Sequence, residues 1–310
     1  MKDGLLNFSL GPITIVLIIV FSTAYVPNTS LAQNPMPYDN RSITENNQKV
    51  AILTFDDGWE SQYQNAKPIL DKYGFKGTFF IVCNYIEKDN LRMSWDDVQS
   101  LKQAGHDIEA HTMNHKNLNK LSAKDLNYEL SESKRCLDSH GINSTIMATP
   151  YNEGWNNSTV IQNIARYYEL ARNGNSPLMF LRCDKWQLSQ TDCRTFLNNG
   201  SLTFANRYSI RAWSHNFYDN EYQHNKTRIF DEFVKVINSQ EEYNKSINTV
   251  VGIPIIIYHN IADTNSSYTT SIDLLEREMK YLRDNGFRVL TMSNLKFDNN
   301  TNYLYIKQNQ

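Results

Sequence analysis

The chain has 310 residues, 40 % of them hydrophobic and 21 % charged, an ordinary globular composition with length enough to bury a full core, which excludes a disordered tail and a mini-protein. A formal net charge of -2 and a pI near 6.4 leave no basic excess for neutralising phosphates, which excludes a general nucleic-acid binder. Four cysteines are too few for a disulfide-built scaffold, and none are paired in the C-x-x-C spacing of a structural zinc site.

The long apolar run, Ile13 to Val26, has the length of a signal-peptide core rather than of a span of about 20 residues. Ser30-Leu31-Ala32 offers the small residues of a cleavage site. Residues 1–32 are therefore expected to be a signal peptide or, counting the apolar run from Leu10, an N-terminal membrane anchor. Both place the bulk of the chain outside the cytoplasm, secreted or anchored at the cell surface. There Cys83, Cys136, Cys183 and Cys193 either pair, with Cys183 to Cys193 the easiest link by spacing, or stay as buried thiols. N-x-S/T triplets at Asn28, Asn40, Asn143, Asn157, Asn199, Asn225, Asn244 and Asn265 are glycosylation acceptors or the chance product of an Asn-rich chain.

Residues 33–48 are polar, Pro- and Asn-rich and aperiodic, and read as a flexible linker. A folded domain is expected over 49–297. Short apolar runs alternate there with helical patterns: strand 49–55, a helix ending near Tyr73 before Gly74, strand 77–83, a helix capped by Ser94 and closed at Gly105, strand 107–111, and a helix opened by Ser122 with Asp125. Strands follow at 144–150, 168–172 and 208–213, the last two separated by a stretch without a clear pattern. A helix near 228–238, strand 254–259, helix 271–286 and strand 287–291 complete the domain, and 298–310 is a polar C-terminal tail. Such alternation implies parallel pairing through right-handed crossovers, in a barrel or a doubly wound sheet. Polar clusters sit directly after apolar strands, at Asp56-Asp57, His111, Tyr151 and His259, which favours a barrel whose strand ends converge on one mouth.

His111 and His115 form an H-x3-H pair, a spacing that seven randomly placed His would produce only about 0.15 times. With Asp57 they offer two imidazoles and one carboxylate, a set suited to a divalent ion with positions left open for water. His106, His140, His215 and His224 read as ordinary loop or strand-end residues, and Asp96 and Asp97 as solvated helix positions.

Thr54-Phe55-Asp56-Asp57-Gly58 after a buried strand, His111-Thr112-x-x-His115, Pro150-Tyr151 after the fourth strand and Ile257-Tyr258-His259 near the C-terminus form an ordered set. This set resembles the polysaccharide deacetylases of carbohydrate esterase family 4, the NodB homology group, over about Lys49 to Asn294. The resemblance implies a distorted (β/α)7 barrel and metal-dependent removal of N- or O-acetyl groups from sugars, with zinc the usual ion and cobalt or nickel equally suited to the ligands. It implies that Asp57, His111 and His115 hold the metal, that Asp56 is the general base and His259 the general acid. By the same resemblance Ile257 lines the acetyl pocket and the backbone N–H of Tyr151, after Pro150, is an oxyanion donor. Two features depart from the family pattern. The Arg expected two residues before Pro150 is replaced by Ala148, with Arg172 or Arg211 as candidate substitutes from neighbouring strand ends. An Asp and Trp lining the cleft are not clearly present; Trp213, or Asp184 with Trp186, are candidates. The C-terminal strand-His-helix-strand unit also resembles one that some exopolysaccharide deacetylases carry before the Asp-Asp-Gly motif, a rearrangement a closed barrel permits because its first and last strands are neighbours.

The expected activity is removal of N-acetyl groups from an N-acetylglucosamine-containing glycan, an acetylated polysaccharide or oligosaccharide being the partner. An O-acetyl polysaccharide esterase, a small-molecule amidohydrolase of the same fold and a glycan-binding module that has lost turnover are the alternatives. Loops 152–158 and 173–206 are expected to set the choice of glycan.

Overall fold

The computed structural model describes residues 49–174, 176–181, 207–215, 226–246, 250–264, 266–300 and 303–307, with the backbone of 195–196 and 202–203. The expected signal peptide or anchor, the linker, Cys183, Cys193, Asp184, Trp186 and His224 lie outside the described residues, as do Asn28, Asn40, Asn199, Asn225 and Asn265.

The strands and helices follow the expected alternation: β1 (Val50–Asp56), α1 (Lys67–Tyr73), β2 (Thr78–Ile81), α2 (Trp95–Gln103), β3 (Asp107–Ala110), α3 (Ala123–Ser139), β4 (Ile146–Ala148), α4 (Ser158–Ile164) and β5 (Leu170–Arg172). After them come the short strands β6 (Met179–Phe180), β7 (Thr195–Phe196), β8 (Leu202–Thr203) and β9 (Trp213–Ser214). Next are α5 (Lys226–Asn238), α6 (Glu241–Ser246), β10 (Gly252–Ile253), β11 (Ile255–Tyr258), β12 (Asn260–Ile261) and β13 (Thr269–Thr270). The chain ends with α7 (Ile272–Asp284), β14 (Arg288–Leu290), β15 (Leu295–Asp298) and β16 (Tyr303–Ile306). The last two pair antiparallel, so strand structure continues into the residues whose polarity suggested a tail.

The main sheet is parallel in the order β5-β4-β3-β2-β1-β11-β9, with β14 also on β1. The expected strand 208–213 is divided. Ile210 bridges Arg172 of β5, and Trp213 and Ser214 pair with β11, so this stretch reaches toward both ends of the sheet. Of the barrel and the doubly wound sheet that the alternation allowed, the result is the distorted (β/α)7 barrel that the resemblance implied.

A strand buried on both faces sends alternate side chains to two cores. On β1, Ala51, Leu53 and Phe55 pack under the helices with Phe79, Leu101 and Leu130, whereas Val50 and Ile52 join Phe80, Ile146, Ala148, Leu170 and Ile255 inside the barrel. The same period points Asp56, Arg172, Ile257 and Ser214 to the interior face, and pointing them there is what gathers the chemistry.

Local signals fix the helix ends. Ser94 and Asp97 form a reciprocal capping box on α2, Ser122 accepts from the Asp125 N–H at the start of α3, and Gly74 at φ 71° closes α1 in the left-handed conformation. Two of the N-x-S/T asparagines have structural work of their own. Asn157 caps α4, and buried Asn244 holds the backbone of Val251 and Gly252.

Cys83, at the end of β2, is disulfide-bonded to Cys136 of α3. This is the link that remains when Cys183 pairs with Cys193. A bond spanning 53 residues restricts the unfolded chain and is worth up to about 4 kcal/mol by loop-closure entropy. Replacing both by Ser should lower unfolding free energy in urea by about 2–4 kcal/mol; an unchanged midpoint would show that the bond constrains nothing.

Candidate active site

The chain reverses direction just after β1 through Asp57 at φ 80° and Gly58 at φ 70°. Left-handed backbone is costly for a non-glycine residue and persists where surroundings enforce it. The turn separates two consecutive carboxylates, so that each finds different partners. At φ 70°, with Ile86 Cδ1 2.9 Å from where a Cβ would stand, the second position favours glycine.

Asp57 faces the two histidines. Its Oδ1 lies 3.5 Å from His111 Nε2 and 3.4 Å from His115 Nε2. His111 Nδ1 lies 2.9 Å from the Ala148 carbonyl, an oxygen that can only accept; Nδ1 therefore carries the proton and Nε2 presents a lone pair toward Asp57. His115 is held by a left-handed turn in which Thr112 Oγ1 accepts from its backbone N–H at 3.0 Å. Burial, then the neighbouring His111, pulls the His115 imidazole down to about 4 against the opposing pull of Asp57 and Asp56. Burial pushes the Asp57 carboxyl up, but His259, His111, His115 and Arg92 together hold it below its ordinary value. Both groups are thus in the protonation states a metal requires.

The three residues fit a divalent ion. Their ligand atoms lie within 4.8 Å of one another, and Asp57 Oδ1 is buried with no hydrogen-bond partner among the described residues. Ligands bound at 2.0–2.1 Å in a tetrahedron stand about 3.4 Å apart, which is the spacing between Asp57 Oδ1 and each of the two imidazoles. Trp59 Nε1 donates to the other oxygen, Asp57 Oδ2, at 3.3 Å, and Arg92 Nη1 donates to the Asp57 carbonyl at 3.0 Å.

Asp56 turns the other way. Arg172 Nη2 donates to both its oxygens, at 2.5 and 2.6 Å, and the pair is almost fully buried. The guanidinium lies over the Phe80 ring at 4.9 Å. Ala148 and Arg172 are register partners on β4 and β5. The positive charge missing at Ala148 is therefore supplied from the next strand, and of the two candidates the structure selects Arg172. Arg211 instead stacks on Trp155 at 4.5 Å.

His259 follows β11, half-buried beside both aspartates, and desolvation outweighs their pull to hold its imidazole below the ordinary histidine range. Gln62, which the sequence gave no reason to single out, clamps the two motifs together: its Nε2 donates to the Asp56 carbonyl at 2.6 Å and the His259 carbonyl at 2.9 Å. Beneath β11, Glu278 of α7 accepts from Tyr258 at 2.8 Å and pairs with buried His215 at 2.6 Å.

Asp56, Asp57, His111, His115, Tyr151, Ile257 and His259 all line one cavity of about 270 Å³. Two expected residues do not. Trp213 is register partner of Ile256, so its ring goes to the outer core, and its neighbour Ser214, paired with Ile257, lines the cavity instead. Pro150 is buried at the start of a short turn and sets the position of Tyr151, itself in the left-handed region at φ 58°, without reaching the wall. Trp59 and Tyr268 complete the rim, the latter with its ring 5.1 Å from His259. Neither lies in a pattern that marks it, because each comes from a loop.

Residues 44–171 match the sequence profile of the polysaccharide deacetylase family. This stretch, which holds both aspartates, both metal-facing histidines and Tyr151, is similar to polysaccharide deacetylases. The Bacillus subtilis protein YxkH is 34 % identical over 110 residues, covering 34 % of this chain and 39 % of YxkH. The chitin deacetylase of Arthroderma benhamiae is 34 % identical over 104 residues, covering 32 % of this chain and 27 % of that one. The chain thus spans well under half the length of these relatives. Among solved structures, the Xyl-CE4 domain of a multidomain xylanase from the hindgut metagenome of Trinervitermes trinervoides superposes with a TM-score of 0.51 at 17 % identity, covering 80 % of this chain and 89 % of that domain. The family 4 carbohydrate esterase of Streptomyces lividans, in complex with acetate, gives 0.51 at 14 % identity, with 84 % and 98 % covered. Both show a shared fold.

The protein should bind one zinc ion, and Asp57→Asn or His111→Ala should weaken binding at least about 100-fold in calorimetric titration. Because His115 is held near 4, protons should not compete for it until the pH falls below about 5. Affinity fading already from pH 6.5 would contradict this.

Proposed function

We propose that this protein is a metal-dependent hydrolase that removes acetyl groups from an N-acetylglucosamine-containing glycan. The observation that carries the reading is the meeting, in one cavity, of a carboxylate with two imidazoles and, beside them, a second carboxylate and a third imidazole.

Amide hydrolysis needs an activated water, stabilisation of the developing oxyanion and a proton for the departing amine. Asp57, His111 and His115 would hold the ion, zinc being well suited to two imidazoles and a carboxylate. When bound, such an ion polarises the acetyl carbonyl and lowers the pKa of water. Asp56 takes a proton from the water as its oxygen bonds to the carbonyl carbon, and Arg172 fixes the carboxylate that does so. His259 delivers a proton to the nitrogen as the C–N bond breaks, leaving free amine and acetate. An imidazole held low by burial gives up that proton readily; exchange with solvent then resets both groups. The Tyr151 N–H, at its left-handed turn beside the cavity, serves as a second oxyanion donor, and Ile257 packs against the acetyl methyl. A half-buried acid poised for a poor leaving group favours amide over ester substrates.

Work outside the cytoplasm, by a chain secreted or anchored through residues 1–32, fits this activity, since the Cys83–Cys136 disulfide is at home in an oxidising compartment.

Zinc-loaded protein should release acetate from N-acetylglucosamine oligomers, and chelator should abolish it. Asp56→Asn and His259→Ala should each lower kcat by about 10²–10⁴ while zinc stays bound. Silence of the folded, zinc-loaded protein on N-acetylated sugars would overturn the reading.

A further inference from the structure

Next to the active-site cavity lies a second, of about 360 Å³, which shares His115 and Tyr151 with the first and is otherwise walled by Tyr85, Asn114, Asn117, Lys116 and Lys120. We propose that it is a subsite for a carboxylate-bearing sugar, so that the substrate is an acidic N-acetylated glycan. This rests on the deacetylase reading and specifies its substrate.

Charge is the first argument. The chain is slightly acidic, with a formal charge of -2, yet two lysines line this wall and no carboxylate does. Neither lysine is in an ion pair with a described residue. The nearby acid, Glu129, is 3 % exposed and engaged at 2.8 Å by both the backbone and the side-chain nitrogen of Asn114. A concavity lined by one sign of charge concentrates the opposite sign from solution. Two further cations flank it, because Lys88 and Arg92 lie over the Tyr85 ring at 5.1 and 4.4 Å.

Placement is the second. Tyr151, 63 % exposed, leans its ring against His115 at 60°, centroids 4.7 Å apart, and belongs to both cavities, so it is the partition between them. A glycan crossing this ring with its acetylated sugar against Asp56 and His259 sets the adjoining sugar against Lys116 and Lys120. The lysines are held there by the fold. Lys116 follows His115, whose left-handed backbone Thr112 fixes. Lys120 ends a short helical turn anchored by buried Leu118, with the Asn117 side-chain oxygen accepting from the Asn119 N–H.

The test is titration of the full zinc-loaded chain with two tetrasaccharides that differ in charge, neutral chitotetraose and a hyaluronan tetrasaccharide of alternating N-acetylglucosamine and glucuronate. An N-acetylmuramate-containing tetrasaccharide, whose carboxylate is on a lactyl ether, tells a uronate site from a lactyl site. The acidic glycans should bind about tenfold more tightly than chitotetraose at low ionic strength, and the preference should shrink as salt is added. In Lys116→Gln/Lys120→Gln it should disappear, with zinc content unchanged. Equal affinities in the wild type, or a preference that survives in the double variant, would overturn the subsite. Because binding is read without turnover, lysine-dependent capture without acetate release supports the subsite and rejects the deacetylase reading. Acetate release without any charge preference does the reverse.

Discussion

The buried pair between Arg172 and Asp56 is the constraint around which the site is arranged. A carboxylate nine-tenths or more removed from water needs a compensating charge and directed hydrogen bonds, and loss of one partner from such a pair costs about 3–5 kcal/mol. Here one guanidinium nitrogen serves both carboxylate oxygens, with the Phe80 ring beneath it. Reaching Asp56 from β5 requires the long side chain to cross the barrel interior, and the neighbour that would obstruct it is an alanine. The absence of a large side chain at Ala148 and the presence of Arg172 are thus one feature seen from two strands.

With Asp56 committed to Arg172, Asp57 is left to the histidines, and the backbone enforces that division. Asp57, His115, Tyr151, Asn152 and Tyr268 all occupy the left-handed region and line the cavity, which places five strained non-glycine residues around it. The strain is borne by the framework. Gln62 ties the ends of β1 and β11, Ala148 orients His111, and the Tyr258–Glu278–His215 network fixes the outer face of β11. A site held this firmly before substrate arrives has little reorganisation left to do at the moment of reaction.

Much of this was legible in the sequence, for reasons that can be named. The helix ends announced themselves through Ser94, Ser122 and Gly74, and each strand through an apolar run. The motif residues sit at strand termini, so the parallel barrel alone brings Asp56, His111, Tyr151 and His259 to one mouth. Arg172 was one of two arginines at strand ends that could replace the charge missing at Ala148, and the choice between it and Arg211 needed the register of β4 with β5. Trp213 was misplaced as a cleft residue because strand alternation cannot be phased where the strand is only two residues long, and a shift of one position exchanged it for Ser214. Gln62, Trp59 and Tyr268 act through long-range contacts from turns and loops. No local pattern encodes such contacts.

The most direct test of the account exchanges the two strand positions. Arg172→Ala should lower kcat for acetate release by about 10²–10³ with KM little changed and zinc still bound, and adding Ala148→Arg, which returns a guanidinium to the barrel interior from the paired position, should recover at least about tenfold of that loss. Acetate release at the wild-type rate from Arg172→Ala would contradict the account, because the proposed base would then work without the guanidinium that holds it.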